Sequence, residues 1–250
     1  MRASKPFLIL QLRPEDDTSD NEYEAILKYG DLDADDTRRL RIETSGIPEL
    51  NLDDYAAVIV GGSPFDISTP VDEKKPIQLK IESDFRRLFD DIVARDLPFL
   101  GACSGCGLLG SYLGTPISKR YGEPVGGTQV RITEDGRDDD LLDGFPEQIG
   151  VLCGHKEACD ELPQGATLLL SNDDCPVQMF RVGRNVYATQ FHPEGDGEGF
   201  TVRIHAYRNH GYFPTEEADA LIEAVNQQDT PHAREILRRF VARYRVETAA

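Results

Sequence analysis

The 250-residue chain lacks any apolar run long enough to cross a membrane. Runs such as Val58-Ile59-Val60 and Leu168-Leu169-Leu170 fall far short of the roughly 20 residues a spanning helix needs. Basic side chains are also scarce: 27 Lys and Arg stand against 45 Asp and Glu, a net charge of −18. A surface of that sign repels phosphate backbones and anionic lipid, which argues against nucleic acid and membranes as partners. The acidic runs Glu15–Asp17, Asp31–Asp36 and Asp138–Asp140 lie between apolar segments and read as solvated loops. Cysteine is sparse and odd in number, five in all, so a disulfide framework is not expected. No P-loop and no GxGxxG is present, and no cofactor and no metal are expected. The basic N-terminus leads into only about seven apolar residues with no small-residue cleavage site, a first strand rather than a signal peptide. These absences point to a cytoplasmic protein. What remains, 39% hydrophobic and 29% charged residues, is a globular composition with enough chain for a sizeable core.

Strand-like and helix-like segments alternate through the first half. Residues 7–12 (FLILQL), 38–44 (RRLRIET), 55–62 (YAAVIVGG) and 96–103 (DLPFLGAC) read as strands. Between them, residues 20–30 suggest a helix that Gly30 ends, and 76–95 carry apolar side chains at helical spacing behind Pro76. A further helix is compatible with 104–113. This alternation predicts an open, mostly parallel sheet flanked by helices. Past residue 120 the pattern becomes hairpin-like, at 127–133, 166–171, 177–183 and 185–191, with a turn through Gly183-Arg184-Asn185. From Thr215 the chain reads as a helical tail to about residue 247, capped by Thr215 and divided by Pro231. No repeat or linker divides the chain, so one α/β domain with a core over about 5–210 is expected.

The most informative stretch is 98-PFLGACSGCGLLG-110. A strand runs into Gly101-Ala102-Cys103-Ser104-Gly105 and then into an apolar helix. Glycines two before and two after a central residue suit a strained strand-to-helix elbow that exposes a nucleophile at the sheet's carboxyl edge. The helix N-terminus favours a thiolate there. The same residues fit three other readings: a small buried cysteine, a redox Cys103-x-x-Cys106 pair, or a metal site made by Cys103, Cys106, Cys153 and His155.

A thiol nucleophile needs a base that a third group orients. Of the five histidines, His192, in 189-TQFHPE-194, has a carboxylate held beside it at short range across a proline. In an extended segment Glu194 would project to the same side as His192, with Pro193 stiffening the step.

Together the elbow and the F-H-P-E segment resemble the class I glutamine amidotransferase family of the Cys-His-Glu triad type. VIVGGSP (58–64) is similar to that family's glycine-pair loop, and GHKEACDELPQGATLLLSND (154–173) to its S-H-G-D segment. The matches fall in family order over about residues 5–200. The resemblance implies a flavodoxin-like α/β fold and a hydrolase releasing ammonia from the side-chain amide of glutamine through a Cys103 thioester. His192 would move the protons and Glu194 would support the imidazolium. The N–H groups of Gly62 and Ser104 would hold the oxyanion, and Gly61, Ser63 and His155 would lie near the substrate. His155 is equally suited to positioning a loop.

One position departs from the family. Its elbow continues to a glutamine that helps bind the substrate, where this chain has Gly107. Three activities follow: a stand-alone glutaminase feeding ammonia to a separate synthetase partner, a γ-glutamyl peptidase of the same fold, or a non-catalytic binding protein. The intact Cys-His-Glu set argues against the last. The small-molecule substrate is glutamine or a γ-glutamyl compound.

Overall fold

The computed structural model describes residues 5–245. Strand β1 (Phe7–Gln11) is buried on both faces. Phe7 and Ile9 pack with Ile26 of helix α1 (Asp16–Gly30), whereas Leu8 and Leu10 face the opposite core. A parallel strand covered on both sides requires this continuous apolar run. β1 pairs in parallel with β2 (Thr37–Arg41) and β3 (Val58–Val60). Next comes α2 (Pro76–Arg95), over the span its periodicity predicts and with Pro76 in its first turn. β4 (Phe99–Ala102) pairs in parallel with β3 and leads into α3 (Ser104–Tyr112). Phe85 and Phe89 of α2 share a core with Leu108 and Leu109 of α3 and with Leu8 and Leu10.

Helix α1 begins at Asp16, four residues ahead of the expected start, with Asp16 and Asp17 in its first turn, where acidic side chains complement the helix dipole. Gly30 does not supply the left-handed cap. Asp31 does, at φ 55°, while a Cβ on Gly30 would lie 3.2 Å from Val241.

The second half continues with β5 (Ile117–Ser118), β6 (Glu123–Ile132), the short α4 (Glu134–Arg137), β7 (Gln148–His155) and β8 (Ala158–Cys159). Then follow β9 (Ala166–Ser171), β10 (Met179–Val182) and β11 (Val186–Thr189). The main sheet has nine strands in the order β2-β1-β3-β4-β11-β10-β9-β6-β7; tracing the pairings, seven run one way and β6 and β10 run against them. This is the mostly parallel, helix-flanked sheet expected. The β10–β11 hairpin turns at Gly183, φ 57°. β6 starts at Glu123, ahead of the expected residue 127, and pairs with β7. The alternation in β7 (Ile149, Val151, Cys153 inward) is masked by Gly150 and Gly154.

Three more helices close the fold: α5 (Gly197–Ala206), α6 (Ala218–Asn226) and α7 (Pro231–Tyr244). Thr215 is not a helix cap. It opens a 3-10 turn behind Pro214, and its hydroxyl donates to the Arg208 carbonyl at 3.2 Å. α7 starts at Pro231, and its Ile236, Leu237, Phe240 and Val241 join the core of Phe7 and Ile26. Phe200 and Ile204 of α5 pack with Ala218 and Val225 of α6 on Leu152 of β7.

Candidate active site

β3, β4 and β11 lie side by side and end at the same edge. Each delivers part of one site, as parallel sheets do at their carboxyl ends. Cys103 follows β4. Its N–H donates to the Thr189 carbonyl at 2.8 Å, and its backbone takes φ 52°, ψ −98°. That conformation strains a residue with a Cβ and marks an over-determined position. The elbow glycines have a steric reason: a Cβ on Gly101 would lie 2.7 Å from the backbone carbon of Gly105.

His192 follows β11 and anchors through its N–H to the Leu152 carbonyl at 3.0 Å. Its Nδ1 meets Glu194 Oε1 at 2.7 Å, so Nδ1 carries the proton and Nε2 is left as the basic nitrogen. The segment is a tight turn rather than the expected extended one, with the Gly195 N–H on the His192 carbonyl at 3.0 Å. Pro193 suits the second position of such a turn. Arg203 of α5 donates from Nη2 to Glu194 Oε1 at 2.8 Å, and Phe200 packs edge-on against the imidazole at 5.6 Å.

These contacts set the charges. Burial pushes the Cys103 thiol up to about 11, against the pull of Arg13 and Arg203. Desolvation outweighs the helix dipole here, so Cys103 rests as a thiol and not the expected thiolate. Burial also lowers His192, and the favourable charge of Glu194 only partly restores it. For Glu194 burial works upward, but His192 and Arg203 overcome it and hold the carboxylate well below its ordinary range. The site rests as thiol, neutral imidazole and carboxylate.

The glycine loop after β3 is packed from below. The Gly61 N–H donates to the Leu10 carbonyl at 3.2 Å, and the Gly62 N–H donates to Glu22 Oε1 at 3.0 Å. Glu22, on α1, also accepts from Arg13 Nε at 2.8 Å. A Cβ on Gly61 would lie 2.3 Å from Glu22 Oε2, and one on Gly62 would lie 2.3 Å from Arg13 Nη2. A side chain at either position would have to displace the Glu22–Arg13 ion pair.

Two clefts meet at Cys103. One is the more polar, with Asp66, Ser104, Lys156, Glu157 and Gln190 in its walls beside Phe65 and Ile117. The other is walled by Val125, Phe200, Ile204, Tyr207 and Phe213 together with Arg13 and Arg203. Ser63, Gly154 and Tyr212 border both. His155 borders the polar cleft, yet both its ring nitrogens are engaged: Nε2 with Glu123 at 2.8 Å and Nδ1 with the Glu157 carbonyl at 3.0 Å. The Glu157 carboxylate then holds the N–H groups of Ile67 and Ser68 at 2.6 and 2.8 Å. Gly107 borders the same cleft, and a Cβ there would lie 2.8 Å from Ile67 Cδ1. Ile67 takes up the room that a larger side chain would enter.

All five cysteines are free. Cys106 is fully buried against Cys159, and that contact together with burial raises its thiol well above the ordinary value. Among the described residues, the groups with metal-ligand spacing are Glu123, Cys153 and His155, and Glu22, His192 and Glu194. Neither includes Cys103 or Cys106, so the four-ligand metal reading is not assembled.

Sequence reasoning missed Arg13, Glu22, Arg203 and the aromatic wall. Arg13 carried a signal, since it follows the carboxyl end of β1, where sites lie in such sheets. Glu22 and Arg203 lie mid-helix, with nothing in their spacing to mark them.

Comparison with known proteins bears on the family and the fold. Residues 36–201 match the family model described as glutamine amidotransferase class-I. A glutamine-hydrolyzing GMP synthase subunit from Archaeoglobus fulgidus is 28% identical over 177 residues, covering 69% of this chain and 85% of that protein. The GMP synthase of Streptomyces avermitilis is 27% identical over 215 residues, covering 80% of this chain but 38% of its own length. A crystal structure of a glutamine amidotransferase from Thermotoga maritima superposes with a TM-score of 0.74 at 21% identity, over 95% of this chain and 98% of that one. A putative GMP synthase subunit from Thermoplasma acidophilum gives 0.64 at 21% identity, over 97% and 94%. The chain therefore belongs to the class-I glutamine amidotransferase family, enzymes that hydrolyse the amide of glutamine.

Proposed function

We propose that Cys103 attacks the γ-carbonyl of glutamine and carries the γ-glutamyl group as a thioester. His192 Nε2 takes the thiol proton as the C–S bond forms. The oxyanion is held by the N–H of Ser104 and by the Gly62–Ser63 loop. While Gly62 remains on Glu22, the Ser63 N–H, in a residue that borders both clefts, is the loop donor at hand. On collapse the C–N bond breaks, the nitrogen takes the proton back from His192 and ammonia leaves. Water, deprotonated by His192, then attacks the thioester and glutamate is released.

The single observation that carries this reading is the His192–Glu194–Arg203 chain in the wall of a cleft that Cys103 also borders. A neutral imidazole next to a thiol must become imidazolium in the transition state, and Glu194 is fixed where that charge appears. Relatives named as individual GMP synthase subunits support a separate synthetase partner that accepts the ammonia. Five free thiols suit a reducing compartment, and the proposal places the reaction in the cytoplasm. No helix among the described residues is long and apolar enough to cross a membrane.

The test is release of glutamate and ammonia from glutamine, with Cys103→Ala as control. Cys103-dependent release supports the reading; release that survives Cys103→Ala overturns it.

A further inference from the structure

Breaking an amide needs room on two sides of the nucleophile, one for the acyl group and one for the amine that leaves. Cys103 borders two clefts, and they differ in chemistry. In the polar cleft Lys156 pairs with Asp66 at 3.0 Å, so both signs of charge stand ready for a group with an ammonium and a carboxylate. An amine as small as ammonia needs no apolar wall. Yet the second cleft is lined by Val125, Phe200, Ile204, Tyr207 and Phe213.

That cleft also holds an incompletely used cation. Arg13 is 4% exposed. Its Nε donates to Glu22 at 2.8 Å and its Nη1 to the Tyr207 hydroxyl at 3.2 Å. Its Nη2 makes no hydrogen bond among the described residues and lies against Gly62. Nη1 and Nε of Arg203, in the wall of the same cleft, are buried without partners among the described residues. Buried guanidinium N–H groups left open beside an apolar wall are what a carboxylate on an apolar body would satisfy.

We propose that the aromatic cleft is a leaving-group site for γ-glutamyl amides of apolar amino acids, with Arg13 binding the carboxylate of the departing amino acid. The inference rests on the Cys103 thioester reading. The steps are the same: the thiol adds to the γ-carbonyl, the C–N bond breaks, and the proton held by His192 passes to the leaving nitrogen. The amino acid departs as a free amine, and water releases glutamate from the thioester.

The test compares kcat/KM for glutamine, γ-glutamyl-glycine, γ-glutamyl-phenylalanine and γ-glutamyl-phenylalaninamide. Burial of the phenyl ring should favour γ-glutamyl-phenylalanine over γ-glutamyl-glycine by about 10–100-fold. Loss of the carboxylate in the amide should cost a further factor of about 10–100. In Arg13→Met the acid-to-amide ratio should fall to about one, and a ratio does not depend on how much of the variant is folded. If that variant does not fold, the wild-type ratios decide alone. An acid-to-amide ratio near one in the wild type, or one that survives in Arg13→Met, overturns the proposal. Cys103-dependent hydrolysis of glutamine with no cleavage of the dipeptides overturns it while leaving the thioester reading standing. No Cys103-dependent hydrolysis of any of the four overturns both.

Discussion

Two buried histidine–carboxylate pairs lie near the same sheet edge, and only one is placed to do chemistry. His192 meets Glu194 at 2.7 Å, and His155 meets Glu123 at 2.8 Å. All four side chains are almost fully buried, with exposures of 2–4%. The difference lies in what the second ring nitrogen does. His155 spends its Nδ1 on the Glu157 carbonyl, and Glu123 is further tied to Asn172 at 3.0 Å and Gln178 at 2.5 Å. That network joins β6 and β7 to the loop segment that Glu157 holds. His192 makes no hydrogen bond through Nε2 among the described residues and borders the same cleft as Cys103, and its carboxylate is backed by a cation, Arg203, instead of by neutral amides. A histidine–carboxylate pair becomes a catalytic base only when one nitrogen stays open toward a substrate.

Removing the base should give the largest effect. His192→Gln is expected to lower kcat/KM for glutamine by about 10⁴–10⁶-fold with little change in melting temperature. His155→Gln should do the reverse: activity within about tenfold of wild type and a melting temperature several degrees lower, since a buried network loses partners. Steady-state assays beside thermal melts of both variants check the pair. If His155→Gln is the more damaging to kcat, the assignment of roles is wrong.

The carboxylates should differ in the same direction but less. Glu194→Gln removes the charge that steadies the imidazolium and should cost about 10²–10⁴-fold in kcat. Glu123→Gln should cost about 1–3 kcal/mol of stability instead. Hydrogen bonds from His155, Asn172 and Gln178 hold Glu123 below its ordinary value of 4.5 against the effect of burial. Its stabilisation is therefore fully present above that value and lost as pH falls through the lowered one. Urea melts across that range should show the gap between wild type and Glu123→Gln closing as pH falls.

The pH dependence of the site itself is smaller and equally specific. Because His192 titrates below its ordinary 6.5, kcat/KM should hold at pH 6.5 and fall only at lower pH. An acid limb above 6.5 would contradict the neutral, desolvated imidazole. Because burial raises the Cys103 thiol to about 11, alkylation of the free enzyme by iodoacetamide should be slow at pH 7 and accelerate toward pH 11. Rapid modification of Cys103 below pH 7 would restore the thiolate expected from the helix N-terminus alone.

The contrast between the pairs also shows what a sequence can disclose. Cys103, His192 and Glu194 are legible because each sits in a segment whose backbone need and chemical need coincide: glycines at an elbow, and Pro193 in a turn. The parallel strands and α2 are legible because burial on one or both faces writes a period into the chain. His155 is marked by its segment, but not the fate of its nitrogens, because Glu123 comes from β6, another strand. Arg13, Glu22 and Arg203 converge on the site from β1's end and two separate helices, and no local pattern encodes such a meeting. The resting charge of Cys103 escapes a local reading for a related reason: the helix dipole is local, whereas desolvation is a property of the assembled core. Thr215 has the residue type of a cap, but Pro214 and the Arg208 carbonyl override it.

The most direct test of the central claim is to quench the enzyme with acid during turnover of glutamine and weigh its peptides. The account predicts one γ-glutamyl group on the peptide carrying Cys103, absent in Cys103→Ala and accumulating in Glu194→Gln if deacylation slows more than acylation. A γ-glutamyl adduct on Cys106 or Cys175, or glutamine hydrolysis that persists without Cys103, would contradict it.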